Sequence, residues 1–384
     1  MKRNRIIAML LACFFVVCAF LGVKLNAGAQ EVISVSAKSA LLADAYSGKV
    51  VYAKNENERL QIASMVKIMT LNLIFDEIEK GNLTYDQEIV VSENASSMGG
   101  SQAFLDARCS YKAEELIKSI IVASANDSCV AMAEHISGSV ESFVALMNET
   151  AEKWGMENTC FVNCTGLPAS GQYCSASDVM IMLKKLINHE KFFEFSGIWM
   201  MDFAHPSGRV TQLTNTNKLV KFYEGCDGGK TGYTSEARSC LGATAKRGET
   251  RLICVVIGAE NSKTRNAEVS KLFNYGFANY ETKCFLNGGE SENLTAKVSN
   301  GVKESVEICA KTDLRAFCKK GELKNCEIKY EINEVNAPIN AGDIVGKVKI
   351  IMSGEVIAEC DLVSKESVST SKFMDFVNDI IRNW

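Results

Sequence analysis

The sequence predicts an α/β fold, an antiparallel sheet flanked by helices, followed by a small all-β module and a C-terminal amphipathic helix. Three observations predict it. Apolar segments that read as hairpins lie both early (Ser39–Ala53) and late (Arg238–Gly258) in the chain. Between them runs a series of segments with helical apolar spacing. Past about Thr282 the texture changes to short segments that alternate or run apolar between turn residues.

The chain of 384 residues begins with Lys2, Arg3 and Arg5, and then an almost unbroken apolar run from Ile6 to Val23. Such a run can anchor a protein in a membrane. The small residues of Asn26-Ala27-Gly28-Ala29 and the polar sequence from Gln30 onward fit a cleaved signal, so residues 1–29 are expected to be a signal peptide. Next, Ser39-Ala40-Leu41-Leu42-Ala43-Asp44 and Val50-Val51-Tyr52-Ala53 flank Tyr46-Ser47-Gly48-Lys49, a hairpin with a glycine turn. Helical spacing (Met65, Ile68, Met69, Leu71, Ile74, Phe75, Ile78) predicts a helix over Ala63–Glu79 that Gly81 stops. Further helices are expected over Ala113–Val122, Ser128–Ile136, Ser142–Trp154 and Ser177–Ile187. Arg238–Ala245 and Arg251–Gly258 read as strands around Lys246-Arg247-Gly248-Glu249, and Asn266–Tyr280 as a closing helix. In the β module, Ser305–Cys309, Cys326–Tyr330 and Ile344–Ile350 read as strands.

Apolar residues make up 47% and charged residues 23% of the chain, enough apolar material for a substantial core. The net charge of −4 gives no polyanion-binding surface, so nucleic acid is not an expected partner. Of the 15 cysteines, Cys13 and Cys18 leave with the signal. The rest sit in apolar runs such as Leu252-Ile253-Cys254-Val255-Val256 and read as buried small hydrophobes rather than a disulfide framework. Cys160 and Cys164 lack a second Cys/His pair at zinc spacing, and His135, His189 and His205 have no assignable role, so no metal and no cofactor is expected.

Three short motifs carry the chemistry: Ser64-Met65-Val66-Lys67, Ser124-Ala125-Asn126 and Lys230-Thr231-Gly232. The first pattern recurs at Ser369–Lys372 and the second at Ser92–Asn94 and Ser291–Asn293, so order and context decide. Ser64 opens an apolar helix, Ser124 lies between two helices, and Lys230-Thr231-Gly232 precedes a strand rich in small residues. Residues at i and i+3 share a helix face, which puts the Lys67 amine within reach of the Ser64 hydroxyl. A serine hydroxyl becomes a nucleophile when a neighbouring base takes its proton. Lysine can be that base when burial or a nearby cation such as Lys230 depresses its pKa. A helix N-terminus at Ser64 also aims backbone N–H groups at developing negative charge.

This three-motif set resembles that of penicillin-binding proteins and class A β-lactamases. Met98-Gly99-Gly100-Ser101, Thr165-Gly166-Leu167, Thr214–Leu219 and Asp227–Gly232 look like segments of the low-molecular-mass D-alanyl-D-alanine carboxypeptidases, a resemblance running from about Ala37 to Glu281 and more loosely beyond. It implies a β-lactamase/transpeptidase-like fold and hydrolysis of the terminal D-alanine from peptidoglycan stem pentapeptides, with β-lactams as covalent inhibitors. The implied roles are Ser64 as nucleophile, Lys67 as base and Ser124 as proton relay. Asn126 would hold the substrate amide and orient Lys67, while Lys230 and Thr231, helped by Arg265, would hold the substrate carboxylate. Gly232 completes the third motif, and the N–H groups of Ser64 and Tyr233 would form the oxyanion hole. Gly229 and Gln61 depart from the family, which more often has an apolar residue and a proline there.

Two alternatives stay open: a β-lactamase, and a non-catalytic envelope-binding protein of the same fold. Class A enzymes add a glutamate in E-x-x-L-N, absent between the second and third motifs, and a binding protein predicts a damaged motif where all three are intact. At the far end, Phe373, Phe376, Val377, Ile380, Ile381 and Trp384 form one apolar stripe after the polar stretch Ser364–Ser371. This reads as an interfacial membrane helix, the other reading being a helix packed on the β module. The expected organisation is signal 1–29, catalytic domain 30–282, β module 283–365, and linker with anchor helix 366–384, in a protein on the extracytoplasmic face of the membrane.

Overall fold

The computed structural model describes residues 33–291 and 293–372; the expected signal segment and the terminal amphipathic helix lie outside these residues. The central sheet has the strand order β2 (Val50–Lys54), β1 (Ser39–Asp44), β9 (Thr250–Ala259), β8 (Arg238–Arg247), β7 (Cys226–Thr234). All neighbours in it are antiparallel. The early hairpin therefore docks on the last strand of the late one, with Leu41 opposite Val255 and Ala43 opposite Ile253.

Both faces of this sheet are covered, which explains why β9 is buried from end to end instead of alternating. On one face Leu41, Ala43, Ile253 and Val255 join a core built with α1 (Lys67–Glu79), α2 (Ala113–Val122), α3 (Asn126–Ser137), α4 (Val140–Lys153) and α5 (Ala176–Leu186). On the other, α6 (Ser262–Asn279) lies so close that Gly276 sits against Leu42 and Leu252. Helix starts follow local capping: Ser139, Ser175 and Asn261 accept from the backbone N–H three residues on. The sequence reading started α3, α4 and α6 two to four residues late, leaving Asn126 and Arg265 outside helices that contain them. Glu190–Ser196 is also helical, and β3 (Glu88–Val90) with β4 (Ser110–Lys112) and β5 (Met200–Ala204) with β6 (Val210–Thr214) form hairpins that the reading lacked.

The β module holds β10 (Tyr280–Leu286) paired with β13 (Leu314–Lys319). Beside them is a six-stranded sheet ordered β14 (Cys326–Ile332), β16 (Ile344–Met352), β17 (Glu355–Ser364), β12 (Ser305–Ala310), β11 (Thr295–Ser299), β15 (Val335–Asn336). The polar stretch after β17 is tied to the module by bridges Val368–Ile339 and Thr370–Gly301. The second S-x-x-K match, Ser369–Lys372, thus belongs to this module. Ser92, in a second match to the middle motif, is a helix N-cap accepting from Ala95 N–H at 2.9 Å. Among the described residues every cysteine is free, and no helix is long and apolar enough to cross a membrane.

The chain enters the catalytic part under a specific tether. Glu268 of α6 accepts from the N–H and the hydroxyl of Ser36 (the latter 2.7 Å) and from Ala37 N–H at 3.3 Å. Glu268→Ala removes a buried charged acceptor from the Ser36 donors and leaves the buried Ala37 N–H without this partner, which is expected to cost about 1–3 kcal/mol. Denaturant melts check this: a lower midpoint with an unchanged slope is expected, and wild-type stability contradicts the tether.

Candidate active site

Ser64 lies in a 3₁₀ turn, Ala63–Val66, and the α-helix proper begins at Lys67. Lys67 is completely buried while Ser64 is half-buried, so of the two only the serine reaches solvent. The Lys67 Nζ hydrogen-bonds Ser64 Oγ at 3.0 Å, Asn126 Oδ1 at 2.6 Å and the Thr165 carbonyl at 2.6 Å. Two of these partners, the carbonyls, can only accept; the serine hydroxyl can accept or donate. A neutral amine therefore spends its two N–H groups on Asn126 and Thr165, and its lone pair is left for the Ser64 O–H. Among the described residues no carboxylate pairs with Lys67. Burial pushes its pKa below the ordinary value, against smaller opposing pulls from Cys129, Cys164 and Asp127. Cys129 supplies no anion near neutral pH, because burial holds its thiol up at about 11.

The wall opposite is set by two glycines. Gly166 follows Thr165 at φ +82°, and a Cβ on it would fall 2.1 Å from the Ala63 carbonyl oxygen. On Gly232 a Cβ would fall 2.4 Å from the Ile62 carbonyl oxygen and 3.3 Å from Ser64 N. Backbone thus packs directly on the serine turn from both sides, and any side chain at either position would push it away.

The third motif precedes the small-residue strand β8, as expected, and itself lies inside a strand, β7, that the sequence reading lacked. Its rungs pair Lys230 with Gly242, Thr231 with Leu241, Gly232 with Cys240 and Tyr233 with Ser239. Lys230 and Thr231 are buried and Tyr233 is exposed. Lys230 has no acidic partner among the described residues, and its Nζ reaches only the Thr231 carbonyl, at 3.4 Å. Burial drives its pKa well below the ordinary lysine value, and the charges of Lys67 and Arg265 push the same way. Arg265, in the first turn of α6, is also buried without a carboxylate; its Nη1 lies 3.5 Å from the Cys240 carbonyl, on the rung opposite Gly232. Asn266 Oδ1 accepts from Arg265 Nε and Nη2 at 3.1 and 2.9 Å. Gly229, a departure from the family pattern, has φ +135°, and its Cβ would lie 2.3 Å from the Gly242 carbonyl oxygen, so this strand path admits only glycine. Upstream, Asp227 is anchored by Arg251 at 2.8 Å.

Ser124 links α2 to α3 at φ +64°, a strained setting for a residue with a Cβ. Its Oγ is buried and hydrogen-bonds neither Lys67 nor Lys230. The three predicted motifs converge nonetheless: Asn126 binds Lys67, and Lys230 feels the charge of Lys67. Three contributors were not assigned from sequence. They are the Thr165 carbonyl, the Gly99 carbonyl that accepts from Asn126 Nδ2 at 2.6 Å, and Asp127. The glycines of the Met98–Ser101 and Thr165–Leu167 segments were the available signal. The histidines are held structurally: His135 by Gln87, His189 by Glu79, and His205 by Tyr111 and Thr211.

Comparison with known proteins gives the same picture. Residues 26–261 match the family model for D-alanyl-D-alanine carboxypeptidase, and residues 280–370 the model for the penicillin-binding protein 5 C-terminal domain. D-alanyl-D-alanine carboxypeptidase DacF of Bacillus subtilis is 42% identical over 91% of this chain and 90% of its own length. DacC of Escherichia coli is 32% identical over 91% and 89%. The crystal structure of penicillin binding protein 5 from Haemophilus influenzae superposes with a TM-score of 0.73 at 32% identity, covering 88% of this chain and 98% of that one. A buried lysine on a serine, a cation-bearing strand beside them, and these relatives lead to one assignment: the chain belongs to the D-alanyl-D-alanine carboxypeptidases, serine hydrolases of the low-molecular-mass penicillin-binding protein group.

Proposed function

We propose that Ser64 is the nucleophile, Lys67 the general base, and Lys230, Thr231 and Arg265 the seat of the substrate's terminal carboxylate. The observation that carries this reading is the Lys67 amine, buried without a counter-charge and hydrogen-bonded to Ser64 Oγ. Lys67 takes the hydroxyl proton as Ser64 Oγ bonds to the carbonyl carbon between the two terminal D-alanines of a stem pentapeptide. The oxyanion is met by the N–H groups of Ser64 and Tyr233. Collapse breaks the C–N bond; the proton returns from Lys67 through Ser124 to the leaving D-alanine amine, with Asn126 holding the substrate amide. Water then attacks the acyl-enzyme with its proton going to Lys67, the ester C–Oγ bond breaks, and that proton passes from Lys67 to Ser64 Oγ, releasing the shortened peptide and restoring the free serine and neutral amine. A β-lactam enters by the same attack and opens its ring onto Ser64. The unpartnered Ser124 hydroxyl supports the relay, since a buried orphan hydroxyl costs about 1–3 kcal/mol and gains a partner in the leaving group.

Two buried basic side chains, Lys230 and Arg265, with no carboxylate paired to either among the described residues, support the carboxylate seat. A bound carboxylate restores charge to Lys230, and a charged Lys230 beside Lys67 disfavours a proton on Lys67. Substrate binding thus sorts the two lysines into a cation and a base.

The pH dependence follows. Activity needs Lys67 neutral, so it rises with pH through the Lys67 pKa; it needs Lys230 charged, so it falls as Lys230 loses its proton. D-alanine release from a diacyl-D-Ala-D-Ala peptide is expected to give a bell-shaped profile. Lys67→Ala should lower it about 10²–10⁴-fold, and Lys230→Arg should move the alkaline limb to higher pH. An alkaline limb unmoved in Lys230→Arg, or near wild-type release by Lys67→Ala, overturns these roles.

Export through residues 1–29 and attachment through the apolar stripe of residues 373–384 complete the reading, placing the enzyme on the outer face of the membrane beside its peptidoglycan substrate. Deleting residues 373–384 is expected to move the mature protein from the membrane to the soluble fraction. Retention in the membrane fraction contradicts the anchor.

A further inference from the structure

Asp127 directly follows the second motif and is fully buried, with no lysine or arginine paired to it among the described residues. Its carboxylate is spent on backbone. Oδ1 accepts from Ala103 N–H at 3.0 Å and Ser128 N–H at 2.9 Å, and Oδ2 accepts from Leu105 N–H at 3.1 Å. The two loop amides flank Phe104, an exposed residue at φ +64°, so the carboxylate pins a strained turn from beneath. The same loop returns to the motif. Ser101 carbonyl accepts from Asn126 N–H at 2.7 Å, and Gly99 carbonyl accepts from Asn126 Nδ2 at 2.6 Å. Asn126 in turn presents Oδ1 to Lys67.

This chain of contacts fixes a choice that Asn126 alone leaves open. An asparagine amide has two faces of nearly equal shape, an acceptor and a donor. With Gly99 O held in place, the Nδ2 must turn to it and Oδ1 must turn to Lys67. Release the loop and the amide can flip, directing N–H groups at the lysine and displacing it from Ser64. We infer that Asp127 is a positioning residue of the acylation machinery, clamping residues 99–105 so that Asn126 offers its oxygen, and not its nitrogen, to Lys67. The inference rests on the roles proposed above for Asn126 and Lys67.

Asp127→Asn is nearly isosteric, yet its Nδ2 would confront a loop N–H, donor against donor, and release one clamp. The test is a cycle of Asp127→Asn, Asn126→Ala and the double variant in the full mature protein, reading the rate of acylation by a fluorescent penicillin. Far-ultraviolet circular dichroism establishes that each is folded. Misplacement of a catalytic amine by about an ångström can cost on the order of 10²-fold. Asp127→Asn alone is therefore expected to acylate about 10- to 100-fold slower, yet to change the rate less than about twofold in the Asn126→Ala background. A loss that multiplies with that of Asn126→Ala, or wild-type acylation by Asp127→Asn, overturns the inference. Wild-type acylation by Asn126→Ala instead removes the role of Asn126 on which it rests. Should Asp127→Asn not fold, Ala103→Pro deletes one clamped N–H while keeping the carboxylate, and the same cycle and outcomes apply.

Discussion

A lysine amine held out of water, with no carboxylate paired to it among the described residues, is the constraint on which the site is organised. Burial of a lone ammonium is expensive, and the group responds by giving up its proton more readily. Everything in contact with Lys67 agrees with that response. Two carbonyl oxygens take its N–H groups, a serine hydroxyl occupies the remaining direction, and the neighbouring thiol of Cys129 stays protonated near neutral pH. An aspartate in place of either carbonyl would hold the ammonium in its charged form, with no lone pair to offer the Ser64 hydroxyl.

The second half of the site follows from the first. Lys230 and Arg265 are also buried without a carboxylate partner among the described residues, so a proton on Lys67 and the charge of Arg265 both oppose a proton on Lys230. Such an arrangement is costly to the free protein and favours an anionic ligand. Its rigidity comes from the sheet: β7 is locked rung by rung to β8, its start is held by the Asp227–Arg251 pair, and glycine backbones let it and the Thr165 loop close on the serine turn. The helices on the near face supply Lys67 and Asn126, and α6 on the far face supplies Arg265.

How much of this the sequence disclosed depended on the range of the interaction. Ser64 and Lys67 are three residues apart on one helical segment, so their proximity is local and readable. The β1–β2 hairpin, the two late strands and α2 were readable for the same reason. The strand nature of Cys226–Thr234 was not: its run of glycines and its lack of β-branched alternation give no strand signal, and only the ladder with β8 makes it extended. Three-residue strands such as β3 and β4 are too short to show a period. The Thr165 and Gly99 carbonyls carry no side-chain signature, and Asp127 acts on residues more than twenty positions away. Spacing alone also matched Ser92–Asn94 and Ser369–Lys372, and packing sets these apart from the motifs that the family resemblance points to: Ser92 caps a helix and Ser369 lies in the β module.

The state of the Lys67 amine in the folded enzyme is the most direct measure of this account. Titrating the ¹³C-labelled lysine ε-carbons by NMR, with the Lys67 signal assigned by its loss in Lys67→Arg, reads it without reference to turnover. The account predicts a Lys67 midpoint displaced below the ordinary 10.5 of lysine. A Lys67 that titrates at or above 10.5 would contradict it, for the serine would then have no base.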